Sequence, residues 1–289
     1  MKALVFGASG QDGHYLCALL REQGIEAVGV SRSGPWRRGD VAQRAEVDDA
    51  VRAVQPDYVF QLAARSTTHH DAGVENHETI ATGALNVLES VYRRAPKARV
   101  FIAGSGVQFK NSGEPIDEDA PFEASSLYSV ARIQSVYAAR YYRSLGLRTY
   151  IGYLFHHESP LRKPSHMSMR IALAAQRIAR EGGRLEVGDP GVVKEWTFAG
   201  DVANAMLQLV QQDVEAEVVI GSGEGHSIEE WLERCFALVG LSWRDHVDLL
   251  PGFPVEYRRL VSRPARLLAL GWSPTVSFAA LAEMMMRGA

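Results

Sequence analysis

Three glycines, Gly7, Gly10 and Gly13, carry the G-x-x-G-x-x-G spacing that lets a backbone wrap a dinucleotide diphosphate. The first allows a tight turn, the second a close approach of backbone to phosphate, and the third close packing of helix on strand. The helix N-terminus that follows supplies N–H donors and a partial positive charge. A plain glycine-rich turn would show the same spacing. The apolar run Ala3–Phe6 before it and the helical pattern after it favour the phosphate loop. Arg32 stands at the end of the next apolar run, where an NAD-selective site places Asp or Glu for the ribose 2′-hydroxyl. A guanidinium there suits a 2′-phosphate, with Arg37 and Arg38 adding charge nearby, so the expected cofactor is NADP(H); the competing reading is a solvated surface arginine. Leu62-Ala63-Ala64 offers small residues where a backbone must lie against the cofactor. His69, His70 and Asp71 fit no closed metal site, and no metal is expected.

The elements that position these residues alternate. Strands are expected at Ala3–Phe6, Ala27–Val30, Tyr58–Leu62, Val100–Ala103 and Arg148–Leu154. Helices are expected at His14–Gln23, Val47–Val54, Glu78–Arg94 and Leu127–Leu145. This order predicts an α/β Rossmann-type fold, a doubly wound parallel sheet whose carboxyl edge holds the ligand. After Phe155 the pattern changes to a smaller lobe, giving a division at 1–160 and 161–289, with elements near 192–221 returning to the core. The second half is expected to hold helices at Ser168–Arg180, Asp201–Gln211 and Ser227–Val239 and a strand at Val218–Ile220.

The chain has 289 residues, 46% hydrophobic and 22% charged, with a formal net charge of −3. That balance gives no bulk attraction to nucleic acid or an anionic membrane. No apolar run approaches the roughly 18 residues of a membrane span. Cys17 and Cys235 lie in apolar helical patterns and read as reduced core thiols, and a cytoplasmic protein is expected.

Several stretches carry a family resemblance. Gly7-Ala-Ser-Gly-Gln-Asp-Gly-His-Tyr-Leu16, Gln55-Pro-Asp-Tyr-Val-Phe-Gln-Leu-Ala-Ala64, Leu154-Phe-His-His-Glu-Ser-Pro-Leu-Arg162, Lys194-Glu-Trp196 and Leu270-Gly-Trp272 resemble extended short-chain dehydrogenase/reductases, and within them the GDP-mannose 4,6-dehydratase group. The Gln11-Asp12 pair and the His-Glu-Ser-Pro loop are the subgroup-specific marks. The resemblance implies a GDP-hexose substrate and a tightly held NADP. In the family, hydride leaves sugar C4, a base removes the C5 proton, the C6 hydroxyl departs, and hydride returns to C6.

The resemblance also implies site residues. The cofactor set is Gly7, Ser9, Gly10, Gln11, Asp12, Gly13, Arg32, Asp40, Val41, Leu62, Ala63, Ala64, Tyr128, Arg132 and Leu154. The nucleotide-sugar set is Ser66, His156, His157, Glu158, Arg162, Arg170, Lys194, Trp196 and Arg258. The catalytic set is Tyr128, Arg132, Ser105 and Gln108. Here the pattern departs from the family. Arg132 replaces the lysine of the Tyr-x-x-x-Lys pair; it keeps the charge but has a larger, planar head and cannot give up its proton. Gly106 replaces a catalytic hydroxyl, and Gln108 replaces a glutamate and cannot act as general acid or base. His156, where the family has Asn, reads either as a proton carrier or as a nucleotide-packing residue. The expected function is an NADP-dependent GDP-hexose dehydratase of this group; the alternatives are a GDP-4-keto-6-deoxy-sugar reductase or other oxidoreductase of the same fold, and a weakly or non-catalytic NADP- and nucleotide-sugar-binding protein. A homodimer through the two long helices is expected.

Overall fold

The computed structural model describes residues 1–65 and 67–288. Strand β1 (Lys2–Phe6) runs into the glycine loop, and helix α1 (Gln11–Glu22) follows. The helix begins at Gln11 rather than His14 because Gly10 takes the extended N-cap conformation, φ −77° and ψ 165°. Next come β2 (Glu26–Ser31), β3 (Arg37–Arg38), α2 (Arg44–Val54) and β4 (Tyr58–Gln61). Helix α3 (Gly73–Asn76) joins α4 (Gly83–Arg94) through a π turn at His77–Thr82, so this element starts earlier than the apolar period suggests. The first half ends with β5 (Arg99–Ser105), α5 (Leu127–Ser144) and β6 (Arg148–Leu154).

The second half holds β7 (His157–Glu158), α6 (Met167–Glu181), β8 (Leu185–Val187), β9 (Val193–Lys194), β10 (Thr197–Phe198) and α7 (Ala199–Gln211). It continues through β11 (Glu217–Ile220), β12 (His226–Ser227), α8 (Ile228–Ala237), β13 (Val247–Leu249), β14 (Arg259–Leu260), α9 (Ala265–Ala269) and α10 (Phe278–Gly288).

The main sheet has the order β11-β6-β5-β4-β1-β2-β3. All its pairings are parallel, which bears out the doubly wound α/β reading. Parallel strands bury both faces, and the side chains alternate between two cores. Leu4, Phe6, Val59, Val100 and Ile102 face one core with α2, α4 and α5. Ala3, Val5, Phe60, Phe101 and Ala103 face the other with α1 and α7. Although α7 and β11 come late in the chain, α7 packs on this core and β11 extends the sheet beside β6. Helix α9 joins the second core through Leu267, and α6, α8 and α10 close around a third core centred on Trp196 and Trp231. No described helix is long and apolar enough to cross a membrane. Both cysteines are buried, and burial raises the Cys17 thiol to about 11.

Candidate active site

The carboxyl ends of the strands gather the glycine loop, Arg32, Asp40-Val41, Leu62–Ala64, Ser105 and Leu154 along one edge. Gly7 has φ +88°, and a Cβ there would lie 2.7 Å from the backbone nitrogen of Ala63. A Cβ on Gly13 would lie 2.5 Å from the Gly7 carbonyl oxygen. The turn therefore closes only without side chains. No side chain caps α1, so its first N–H groups remain available to a diphosphate, and the loop fits a dinucleotide. Ser9 Oγ donates to the Ser33 carbonyl at 2.6 Å, tying the loop to the segment after β2. Asp40 Oδ1 accepts from the Ala42 N–H at 2.9 Å, a local turn that presents Val41 to the core. Ser66 lies outside the described residues.

The two subgroup marks turn out to be partners of each other. Asp12 Oδ1 lies 2.8 Å from His157 Nε2, and Ser159 Oγ donates to Gln11 Oε1 at 2.8 Å. The other ring nitrogen of His157 donates to the Phe155 carbonyl at 2.7 Å. Burial would lower the His157 pKa, but the Asp12 carboxylate outweighs it and holds the imidazole protonated more strongly than usual. Asp12, penalised by burial, is nonetheless held below the ordinary carboxylate range by His157. Gln11 and Asp12, expected at the cofactor, and His157, expected at the sugar, thus engage partners on the facing loop. They latch the phosphate loop to the loop after β6.

Glu158 is fully enclosed. Its Oε1 lies 2.9 Å from His156 Nε2, and its Oε2 lies 2.9 Å from Arg162 Nε. Burial alone would raise this carboxyl; Arg162 and His156 bring it down to about 2. His156 Nδ1 donates to the Glu195 carbonyl at 2.7 Å. Both ring nitrogens are therefore engaged, and in this structure His156 anchors the loop after β6. Trp196, expected at the sugar, packs inside the core of the second half. It is 3% exposed, stacks on Trp231 at 4.4 Å, and donates its Nε1–H to the His226 carbonyl at 3.0 Å. Arg170 and Arg258 are exposed; Arg170 donates to the Glu186 carbonyl, and Arg258 is paired with Asp189. Lys194 is half-buried against the Tyr257 ring, and burial lowers its pKa. It makes no ion pair among the described residues.

Tyr128 and Arg132 share one side of α5, as their spacing requires. Arg132 Nε lies 3.1 Å from the Tyr128 hydroxyl, and its Nη1 donates to the Ala103 carbonyl at 2.5 Å. Arg132 is 7% exposed, and its guanidinium is held at two of its nitrogens. Ser126 caps the helix by accepting from the Ser129 N–H at 3.1 Å, which sets where Tyr128 sits in the first turn.

The turn after β5 departs from expectation. Gln108 is fully buried, and its Oε1 accepts from the Ser105 N–H at 2.8 Å, folding the side chain back on the strand end. It does not stand where a base could reach a ligand. Gly106 is buried, and a Cβ there would lie 3.0 Å from the Phe155 ring. The partly exposed residues of the turn are Ser105 and Val107, and neither is a carboxylate. This follows from the tight 3-10 geometry at Gly106–Gln108, which residue types alone did not reveal.

With this geometry in place, comparisons with known proteins assign the family. The family model described as GDP-mannose 4,6 dehydratase matches residues 4–285. The chain belongs to the GDP-mannose 4,6-dehydratase family. Among curated members of that family, GDP-mannose 4,6 dehydratase 1 of Arabidopsis thaliana is 30% identical over 98% of this chain and 88% of its own length. GDP-mannose 4,6-dehydratase of Sinorhizobium fredii is 28% identical over 83% of this chain and 77% of its own. The fold is shared with UDP-glucose 4-epimerase of Thermus thermophilus solved with NAD, at TM-score 0.87 and 24% identity, covering 100% of this chain and 98% of that one. It is also shared with RMD of Pseudomonas aeruginosa solved with NADPH, at TM-score 0.88 and 22% identity, covering 99% of this chain and 98% of that one. A nicotinamide cofactor is thus common to solved relatives of this fold.

Proposed function

We propose that this chain is an NADP(H)-dependent oxidoreductase that reduces the keto group of a GDP-linked 4-keto-6-deoxy sugar. One observation carries the reading: Tyr128 keeps a cation beside its hydroxyl, Arg132 in place of lysine, while the turn at 105–108 offers no carboxylate, Gln108 standing where the family has glutamate and being folded back on Ser105. Reduction needs a hydride and one proton. Dehydration also needs a group to take the C5 proton, and a positioned base contributes ~10²–10⁴-fold. The glycine loop would hold the cofactor diphosphate, and Arg32 the 2′-phosphate. Bound NADPH would supply the hydride. Tyr128 gives its phenolic proton to the carbonyl oxygen as the C–O double bond becomes a C–O single bond. Arg132, 3.1 Å from that phenol, steadies the phenolate until solvent returns the proton. We assign the GDP diphosphate to Lys194, whose ammonium lacks a carboxylate partner among the described residues.

Purified protein incubated with GDP-4-keto-6-deoxymannose and NADPH should yield a sugar heavier by two hydrogens. Incubated with GDP-mannose alone it should yield no loss of water. Water loss from GDP-mannose would restore the dehydratase reading, which rests on the family match. Thermal stabilisation by both ligands without turnover would leave a binding protein.

The missing base gives a further prediction. Val107→Glu places a carboxylate at a partly exposed position of the turn and should create measurable water loss from GDP-mannose. Gln108→Glu, whose side chain is buried and turned back on Ser105, should create none. Equal gains from both variants would show that the turn opens in solution.

We also propose a cytoplasmic homodimer through α4 and α5. Leu85 and Tyr92 on α4, and Tyr137 and Tyr141 on the adjacent α5, are exposed at 39% to 60%. Aromatic side chains on neighbouring helices are what a second copy would cover. Sedimentation at micromolar concentration should give a dimer, and Tyr137→Glu with Tyr141→Glu a folded monomer. A wild-type monomer would reject this.

A further inference from the structure

In the sheet, β2 and β4 lie on either side of β1, whose carboxyl end opens into the glycine loop. Each flanking strand is followed by an arginine, Arg32 after β2 and Arg65 after β4. Both guanidiniums close on one carboxylate, that of Glu75 on α3. Arg32 Nη2 lies 3.0 Å from Glu75 Oε1, and Arg65 Nη1 lies 2.9 Å from Oε2. Two arginines from separate elements converging on one oxyanion form the donor set that a phosphomonoester takes.

We propose that Arg65 is a second arm of the cofactor's 2′-phosphate subsite, and that Glu75 fills that subsite until the cofactor displaces it. The inference rests on the reading of Arg32 as the 2′-phosphate partner. The three side chains are exposed at 59%, 56% and 35%, so the carboxylate can leave without unpacking a core. Glu75 is anionic at neutral pH, because its hydrogen bonds to Arg32 and Arg65 hold its pKa below the usual range. A 2′-phosphate must take both guanidiniums from it and tolerate its charge nearby. NADH carries no phosphate at that position and has no such competitor. Glu75 therefore sets how strongly this chain prefers NADPH over NADH, beyond the contribution of Arg32.

Fluorescence titration of NADPH and NADH into the full chain tests this directly, with melting temperatures confirming that each variant is folded. Glu75→Gln should tighten NADPH by about three- to tenfold and leave NADH nearly unchanged, since one like charge is removed from beside the phosphate. Arg65→Gln should weaken NADPH by about tenfold, again without changing NADH. Both effects should shrink at high salt. If Arg32→Gln weakens NADPH while Arg65→Gln and Glu75→Gln do not, the subsite is Arg32 alone; the inference is overturned and the cofactor reading stands. If Arg32→Gln leaves NADPH affinity unchanged, both fall together. Equal tightening of NADPH and NADH by Glu75→Gln also overturns the inference, because the effect would then not depend on the phosphate.

Discussion

Glu158→Ala should destabilise the folded chain by about 3–5 kcal/mol, the cost of leaving buried opposite charge without its partner. Arg162 and His156 each lie 2.9 Å from this carboxylate, and Glu158 itself is 1% exposed. Removing it leaves a buried guanidinium facing an imidazole with no anion between them. Glu158→Gln keeps the shape and removes the charge, so it should lose a similar amount. Denaturant midpoints measure both. The pH dependence has a definite sign. The carboxyl titrates at about 2 in the folded chain and near 4.5 when unfolded. Its contribution is therefore complete above pH 4.5 and is lost as pH falls towards 2. Wild-type stability should fall through that window, and the Gln variant should lack this part of the fall. Identical midpoints and identical acid limbs would show that the ion cluster contributes nothing net.

Tyr128→Phe should lower turnover by ~10²–10⁴-fold, the range for a positioned proton donor. Binding of NADPH and GDP should be unchanged, because the ring and its place in the first turn of α5 remain. The variant loses the hydroxyl 3.1 Å from Arg132 Nε, while Arg132 keeps its bond to Ala103. A fall in turnover with intact ligand affinity separates a chemical role from a packing role. Turnover within about threefold of wild type would remove Tyr128 from the reaction, far short of the loss a general acid should give.

The strand–helix alternation was legible because both periods are local. The apolar runs around Val59, Val100 and Ile151 need no distant information to be read as buried parallel strands. The glycine loop was legible because backbone demand at Gly7 and Gly13 constrains residue type at fixed spacing. The partners of Gln11 and Asp12 were not, since Ser159 and His157 lie 148 and 145 residues away. Polar residues at a phosphate loop look like ligand contacts whether they face a ligand or another loop. The direction of Gln108 was not legible for a different reason: the 3-10 turn at Gly106–Gln108 buries Gln108 and leaves Val107 partly exposed, a local geometry that residue type does not announce. Trp196 entered the sugar set through the resemblance of the Lys194-Glu-Trp196 stretch; its stacking on Trp231 comes from tertiary packing, which no local pattern announces. Arg65 and Glu75 fall in no recognisable motif, and only their convergence with Arg32 singles them out.

The bond between Asp12 and His157 also dictates an order of events during synthesis. It closes a loop of 145 residues, and that entropy cannot be recovered until the strands between are in place. β11 must wait longer still, since it docks on β6 only after residue 217 has emerged. The glycine loop, though its residues lie within the first thirteen, is therefore clamped only late. A nascent chain halted before His157 has the glycines but not the clamp, and capture of the cofactor should mark the end of folding rather than its beginning.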